Sequence, residues 1–283
     1  MKFAVLDWAS LPGDPAGPNE DAFAAEGAGA VVMDGATGLG EPLLDGGSDA
    51  AWVAAFGAAR LMAERRAGKT CEEALREALG ATQREFERLR RRAPNETWEI
   101  PFASMMFASL ADGALEALWF GDCAALVGSP GGGAAIVGDA LSRRAKERER
   151  VARLAASFGA AAAERGVREV FLPALREARN GVNTRTGSWL FGPDARAAAH
   201  VARTTLPAPE GSIVLLATDG FLALTSDYGA YGPDSLLDAA LSKGLASLGR
   251  ELRAIEATDP DGRRFPRFKR SDDATALLLR VCA

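Results

Sequence analysis

A single histidine, His200, in 283 residues removes several chemistries at once. A Ser-His-Asp triad would have to use it, and a zinc site built from several histidines is impossible. Cysteine is nearly as scarce. Cys71, Cys123 and Cys282 are odd in number and scattered, without C-x-x-C or metal-ligand spacing, which suits a reducing compartment. No apolar run approaches membrane-spanning length, and Met1 to Leu6 is cut short by Asp7, so no signal peptide fits and a cytoplasmic location is expected. Positive charge is not in excess either: the net charge of -5 argues against a general nucleic-acid binder. There is no repeat, no low-complexity tail and no linker, so residues 1-283 are expected to form one domain.

What the chain has instead is a recurring grammar of apolar run, acid and glycine. Ala30-Val31-Val32-Met33-Asp34-Gly35 reads as a buried strand that delivers an acid to the rim of a sheet, with Gly35 allowing a sharp turn. The pattern returns as Ile213 to Ala217 followed by Thr218-Asp219-Gly220, and more weakly as Leu118-Trp119-Phe120-Gly121-Asp122. Glu20-Asp21 and Asp272-Asp273 complete five acidic stations. Carboxylates gathered at one rim repel one another, and once desolvated they protonate unless a cation neutralises them. Such a set fits hard divalent ions with oxygen ligands, Mg²⁺ or Mn²⁺.

Between the stations the periodicity alternates. A first strand covers residues 2 to 9, and Ala22 to Met33 reads as two strands joined at Glu26 to Gly29. Ser48 caps a helix whose inner face is expected at Trp52, Phe56, Ala59 and Met62 or Ala63. Thr70-Cys71-Glu72-Glu73 has capping-box spacing and opens a second helix with Leu75, Leu79, Thr82, Phe86 and Leu89 as its stripe. Phe102 to Leu110 and Leu115 to Phe120 flank Asp112-Gly113, a hairpin signal, and a meander of antiparallel strands continues through Cys123 to Val127 and Ala134 to Val137. Residues 139 to 181 read as helix in two pieces, interrupted near Gly159 or Gly166 and at Pro173, with Arg143 to Arg150 as a solvated face of mixed sign. Thr186 to Phe191 reads as a strand, Ala195 to Thr204 as a short element, Leu236 to Leu241 and Leu245 to Ile255 as short helices, and Ala274 to Val281 as a closing strand. Regular βαβ alternation is absent, which favours a layered α+β sandwich over a doubly wound sheet.

Asn19-Glu20-Asp21-Ala22-Phe23, Asp34-Gly35, Gly121-Asp122, Thr218-Asp219-Gly220 and Asp272-Asp273-Ala274-Thr275 stand in the order and approximate spacing of the PPM family, the metal-dependent type-2C serine/threonine protein phosphatases, which the chain resembles over nearly its whole length. The resemblance implies a four-layer α-β-β-α sandwich of two antiparallel sheets, and a binuclear Mn²⁺ or Mg²⁺ centre that activates water for hydrolysis of phosphoserine and phosphothreonine monoesters. It implies Asp34, Asp219 and Asp272 as catalytic carboxylates, with Asp34 bridging. The metal set becomes Glu20, Asp21, Asp34, the Gly35 carbonyl, Asp219 and Asp272, with Asp122 at the position of a third ion. Asp273 could share the role of Asp272 but reads better as its backbone-capping neighbour. Phosphorylated proteins are the expected partners, with neither nucleic acid nor membrane involved. The absence of a Cys-x5-Arg spacing agrees: Glu77 and Ser129 stand six residues after Cys71 and Cys123.

The chain departs from the family where substrate is met. Ala16 replaces the arginine expected four residues before Glu20, and Ala36 and Thr37 follow the Asp-Gly pair where many eukaryotic members have histidine. Arg179, Arg185 and Arg270 are candidates to replace that arginine. These departures leave two alternatives beside the protein phosphatase, a pseudophosphatase serving as a binding module and a phosphatase of small phosphoesters. Arg263 to Arg270, basic with interleaved aromatics, reads either as a solvated loop or as a guide for an anionic substrate. His200 and Cys123 are expected to be structural.

Overall fold

A computed structural model describes residues 1–130, 132–141, 167–265, 267 and 269–283. The Arg143 to Arg150 run, the breaks at Gly159 and Gly166, and Pro266 and Phe268 of the basic segment lie outside the described residues. The ten strands among those described are β1 (Lys2–Leu11), β2 (Asp21–Glu26), β3 (Gly29–Gly35), β4 (Ala103–Ala111), β5 (Ala114–Phe120), β6 (Ala124–Gly128), β7 (Ala134–Val137), β8 (Ala202–Pro207), β9 (Ile213–Ala217) and β10 (Ala274–Cys282). They form two five-stranded antiparallel sheets, ordered β1-β10-β9-β6-β7 and β2-β3-β4-β5-β8. The first and last strands pair with each other.

The alternation of side chains along each strand assembles the layers. On β3, Ala30 and Val32 enter the core between the sheets, while Val31 and Met33 point outward to helices α1 (Asp49–Arg66) and α2 (Cys71–Leu89). On β10, Leu277 and Leu279 face inward, and Ala276 and Leu278 face α4 (Asp219–Ser226), α5 (Pro233–Lys243) and α6 (Leu245–Thr258). Both faces of the central strands are buried, which is why their sequences are continuous apolar runs rather than alternating ones. The result is the α+β, four-layer α-β-β-α sandwich expected from the sequence.

Several local expectations change. The buried face of α1 is Val53, Ala54, Gly57, Ala58, Leu61 and Met62, not the stripe through Ala59, which is exposed. The helix lies close on the sheet through small residues, and a Cβ at Gly57 would stand 2.6 Å from the Phe191 ring. Trp52 and Phe56 instead turn sideways, where Trp52 meets Phe86 of α2 at a centroid distance of 6.1 Å. Pro173 does not end a helix but lies inside α3 (Val167–Asn180). Residues 186 to 191 form no strand; Phe191 makes an isolated bridge to Ala103. The meander is divided, because β5 belongs to one sheet and β6 to the other, and Gly121-Asp122 is the crossing. The α4 helix follows Asp219 directly, where no helix is expected from the sequence.

Candidate functional site

Every predicted acid lies in a strand or within two residues of one, and all are delivered to the same rim. Asp21 opens β2 and pairs in register with Asp34 near the end of β3, whose other neighbour is Ser104 at the start of β4. Asp122 follows β5, Asp219 follows β9 and Asp272 precedes β10. Antiparallel pairing inside each sheet, and face-to-face packing of the two, thus bring residues from both ends of the chain together.

Glycines let these segments approach closely. Gly35 ends β3 without a positive φ, so its turn-forming freedom is not what the position requires. A Cβ there would instead stand 2.5 Å from the Ala50 carbonyl oxygen at the start of α1 and 2.6 Å from that of Glu20. At Gly220 a Cβ would stand 1.9 Å from the Asp273 carbonyl oxygen. The glycines after Asp34 and Asp219 are packing requirements that let these two acid-bearing segments close on their neighbours.

The electrostatics mark the same place. Burial pushes the Asp34 carboxyl well above the ordinary carboxylate range, and the fields of Asp219, Asp21, Asp122 and Asp272 push it further. Asp21 is raised by burial too, with Asp272 and Asp273 adding to it, although hydrogen bonds from Thr218 and Thr275 act in the opposite sense. Thr218 Oγ1 donates to Asp21 Oδ2 at 2.9 Å, while Asp21 Oδ1 is buried with no hydrogen-bond partner. Ser104 Oγ donates to Asp122 Oδ1 at 2.5 Å. Glu20 stands slightly apart: its carboxylate accepts from the hydroxyls of Thr37 and Ser48. Asp273 accepts from the backbone N–H groups of Gly13 at 2.7 Å and Glu20 at 2.6 Å, the capping role expected of it.

A resident group of divalent ions fits these residues. The donors are all oxygens, the acids raise one another's pKa values, and one buried carboxylate oxygen is left unsatisfied, an arrangement that a hard cation relieves. Among the described residues, however, no three acids close into a ready group around one point in this side-chain arrangement. Thr218, Ser104 and Lys269 hold three of the carboxylates instead.

Lys269, read from the sequence only as part of the basic run Arg263 to Arg270, lies at the centre itself. Its ammonium donates to Asp272 Oδ1 at 2.8 Å and to Thr37 Oγ1 at 2.9 Å. Burial lowers its pKa, but Asp272, Asp34 and Glu20 together carry it above the usual lysine value. Beside it opens a cleft of about 1050 Å³, lined by Pro12, Asp14, Glu20, Arg253, Arg270 and Asp272 among others. Of the arginines considered for position 16, Arg270 lines this cleft, whereas Arg179 donates to the Thr37 carbonyl at 2.8 Å from the other side of the loop. Arg185 lines none of the clefts described among these residues. His200, exposed, stacks on Trp189 at 3.7 Å between centroids, and Cys123 is a core residue between the sheets as expected.

No protein-family model matches this chain, and no curated protein matches it by sequence. Solved structures do. The serine/threonine phosphatase PstP/Ppp of Mycobacterium tuberculosis superposes with a TM-score of 0.59 and 15% identity over 100% of both chains. The PPM Ser-Thr phosphatase MsPP of Mycobacterium smegmatis, solved in complex with cacodylate, gives 0.56 and 19% over 99% of this chain and 100% of that one. The catalytic domain of PstP in complex with two manganese ions gives 0.55 and 15% over 100% and 98%. The fold is therefore that of the PPM phosphatases, end to end.

Proposed function

We propose that residues 1–283 form a single metal-dependent phosphatase domain that hydrolyses phosphoserine and phosphothreonine monoesters in proteins. The observation that carries this reading is the gathering of Asp21, Asp122, Asp219 and Asp272 near enough to Asp34 for each to act on its carboxyl, with Asp272 also lining the adjoining cleft. A scaffold alone gains nothing from concentrating such repulsion. Two further facts support it: the shared fold, and the two manganese ions bound to the catalytic domain of PstP.

In this reading Asp34, Asp219, Asp272, Asp21, Glu20 and the Gly35 carbonyl would hold two Mn²⁺ or Mg²⁺ ions, and Asp122 would serve a third. The chemistry such ions would supply there is activation of water and screening of a phosphate ester's charge. The chain's own part is orientation. Thr218 fixes the Asp21 carboxylate, Ser104 fixes Asp122, and the paired strand ends hold the half-buried Asp34 opposite Asp21. No protein nucleophile is needed, and neither buried cysteine suits the role: burial pushes the Cys71 thiol up to about 12 and raises Cys123 well above its ordinary value.

The test is hydrolysis of p-nitrophenyl phosphate and of phosphoserine and phosphothreonine peptides with Mn²⁺, with Mg²⁺ and with chelator, beside Asp34→Asn and Asp219→Asn. Metal-dependent turnover lost in both variants is expected. Folded, metal-loaded protein inactive on esters and peptides alike would instead establish a binding module.

A further inference from the structure

The loop between α6 and β10 is built to hold one lysine inside the acid centre. At its base the Asp259 carboxylate accepts the N–H groups of Arg263, Arg264 and Phe265 and pairs with the Arg267 guanidinium at 3.0 Å. Arg253 donates to the carbonyls of Leu11, Pro12 and Asp272, and Ser271 Oγ donates to Glu256 at 2.7 Å. These contacts fix the chain on both sides of residue 269. Asp272 is thereby pinned through its backbone, and the side chain of Lys269, three residues earlier, lies against its carboxylate.

The neighbouring cations are placed differently. Arg267 pairs with Asp259, Arg253 is held by carbonyls and by Glu256, and Arg263, Arg264 and Arg270 are exposed. Lys269 is the loop cation whose charge meets the carboxylates of the centre, and its side chain retains 37% exposure toward the cleft. A lysine head group on a flexible four-carbon stem can leave one partner and turn to another without moving the backbone. A divalent ion bound to Asp272 would meet an ammonium already 2.8 Å from Oδ1. Two cations so close to one oxygen repel strongly in a partly buried site.

We propose that Lys269 is a tethered counter-cation of the carboxylate centre, holding Asp272 until a divalent ion displaces it and so setting how tightly that side of the centre binds metal. The inference rests on the metal centre proposed above. The metal-free protein then keeps its acids partly neutralised by its own chain. Metal loading swings the ammonium out toward the cleft where an anionic ester approaches.

Calorimetric titration of metal-free protein with Mn²⁺ tests this, comparing wild type with Lys269→Met and with Arg270→Met, which removes the same charge one residue further on. Lys269→Met is expected to bind the weaker ion about tenfold more tightly and to melt at lower temperature when metal-free, while Arg270→Met shifts the affinity by less than about twofold. A second measurement needs no variant: reductive methylation of wild-type protein, read by peptide mass spectrometry, is expected to modify Lys269 faster with Mn²⁺ than with chelator. If wild type takes up Mn²⁺ but Lys269→Met binds it no more tightly than Arg270→Met does, or if Mn²⁺ leaves Lys269 equally or less reactive, the counter-cation role is overturned while the metal centre stands. If wild type binds no Mn²⁺, the metal centre fails and this inference with it.

Discussion

Asp21 and Asp34 stand directly opposite each other across the β2–β3 pair, two carboxylates in register on adjacent strands. Like charges in such a pair destabilise a sheet, and here burial adds to the repulsion. The fold thus stores instability at the rim where it gathers these acids, a pattern common at functional sites. Asp34→Asn keeps the shape and removes one charge. The variant is expected to be more stable than wild type without metal at pH 8, by roughly 1–2 kcal/mol or about 4 °C in melting temperature. Added Mn²⁺ is expected to raise the melting temperature of wild type and to leave that of the variant unchanged. Thermal melts with Mn²⁺ and with chelator decide it, and a metal-free variant less stable than wild type would refute the claim of stored repulsion.

Ser104 is expected to matter for activity more than for folding. Its hydroxyl orients Asp122, and it sits so close to the sheet crossing that a Cβ at Gly121 would stand 2.2 Å from Ser104 Oγ. Partners that orient a metal-binding side chain typically contribute about 10–100-fold to metal affinity or activity. Ser104→Ala is therefore expected to lower turnover at limiting Mn²⁺ by about tenfold and to recover much of it at saturating Mn²⁺. Equal turnover of the two proteins across the whole Mn²⁺ range would show that Asp122 needs no such partner.

The anchor at Asp259 has a pH signature. Burial alone would raise its carboxyl pKa, but the N–H groups of Arg264 and Phe265, the Arg267 guanidinium and the Arg263 N–H hold it at about 2. A depressed folded-state pKa contributes stability that is complete above the unfolded value, 3.8, and is lost as pH falls through the folded one. The stability gap between wild type and Asp259→Asn should accordingly be widest at neutral pH and close between about pH 4 and pH 2. Denaturant melts along a pH series measure it, and a gap unchanged down to pH 2 would count against the anchoring role.

The acids, the hairpin at Asp112-Gly113 and both helix caps were legible because each is a local signal. Asp112 and Gly113 take φ of 49° and 78° as a tight hairpin requires, and the Thr70 capping box forms with Glu73. What the sequence hid is tertiary. The face of α1 could not be read from its largest residues, because the sheet accepts Gly57 and Ala58 while Trp52 and Phe56 are taken up between helices. The α4 helix is eight residues long and starts at Asp219, too short to show a period. Lys269 lay within a basic run whose other members are solvated or paired elsewhere, and its separation of 232 positions from Thr37 leaves no trace in spacing. The acid stations were visible one by one, whereas the neutralising charge is a product of the fold.

Helix α3 braces the loop that follows Asp34-Gly35, and removing that brace should affect substrate more than metal. Arg176 donates through Nε and Nη2 to the Leu39 carbonyl at 3.0 and 2.7 Å and lies 4.1 Å above the Trp98 ring, and Arg179 reaches the Thr37 carbonyl. Hydrogen bonds from a charged donor contribute about 1.5–3 kcal/mol, and a guanidinium over an aromatic face about 0.5–1 kcal/mol at exposed sites. Arg176→Ala should therefore loosen residues 36 to 40 while leaving the strand-borne Asp34 in place. The expected result is faster amide exchange across that loop, a KM for phosphopeptides raised about threefold to tenfold, and Mn²⁺ affinity within about twofold of wild type, since the whole effect is limited to these few kcal/mol. Hydrogen exchange by mass spectrometry and steady-state kinetics read the two halves separately. Loss of Mn²⁺ affinity with unchanged exchange in the loop would mean that Arg176 acts on the metal centre rather than as a brace.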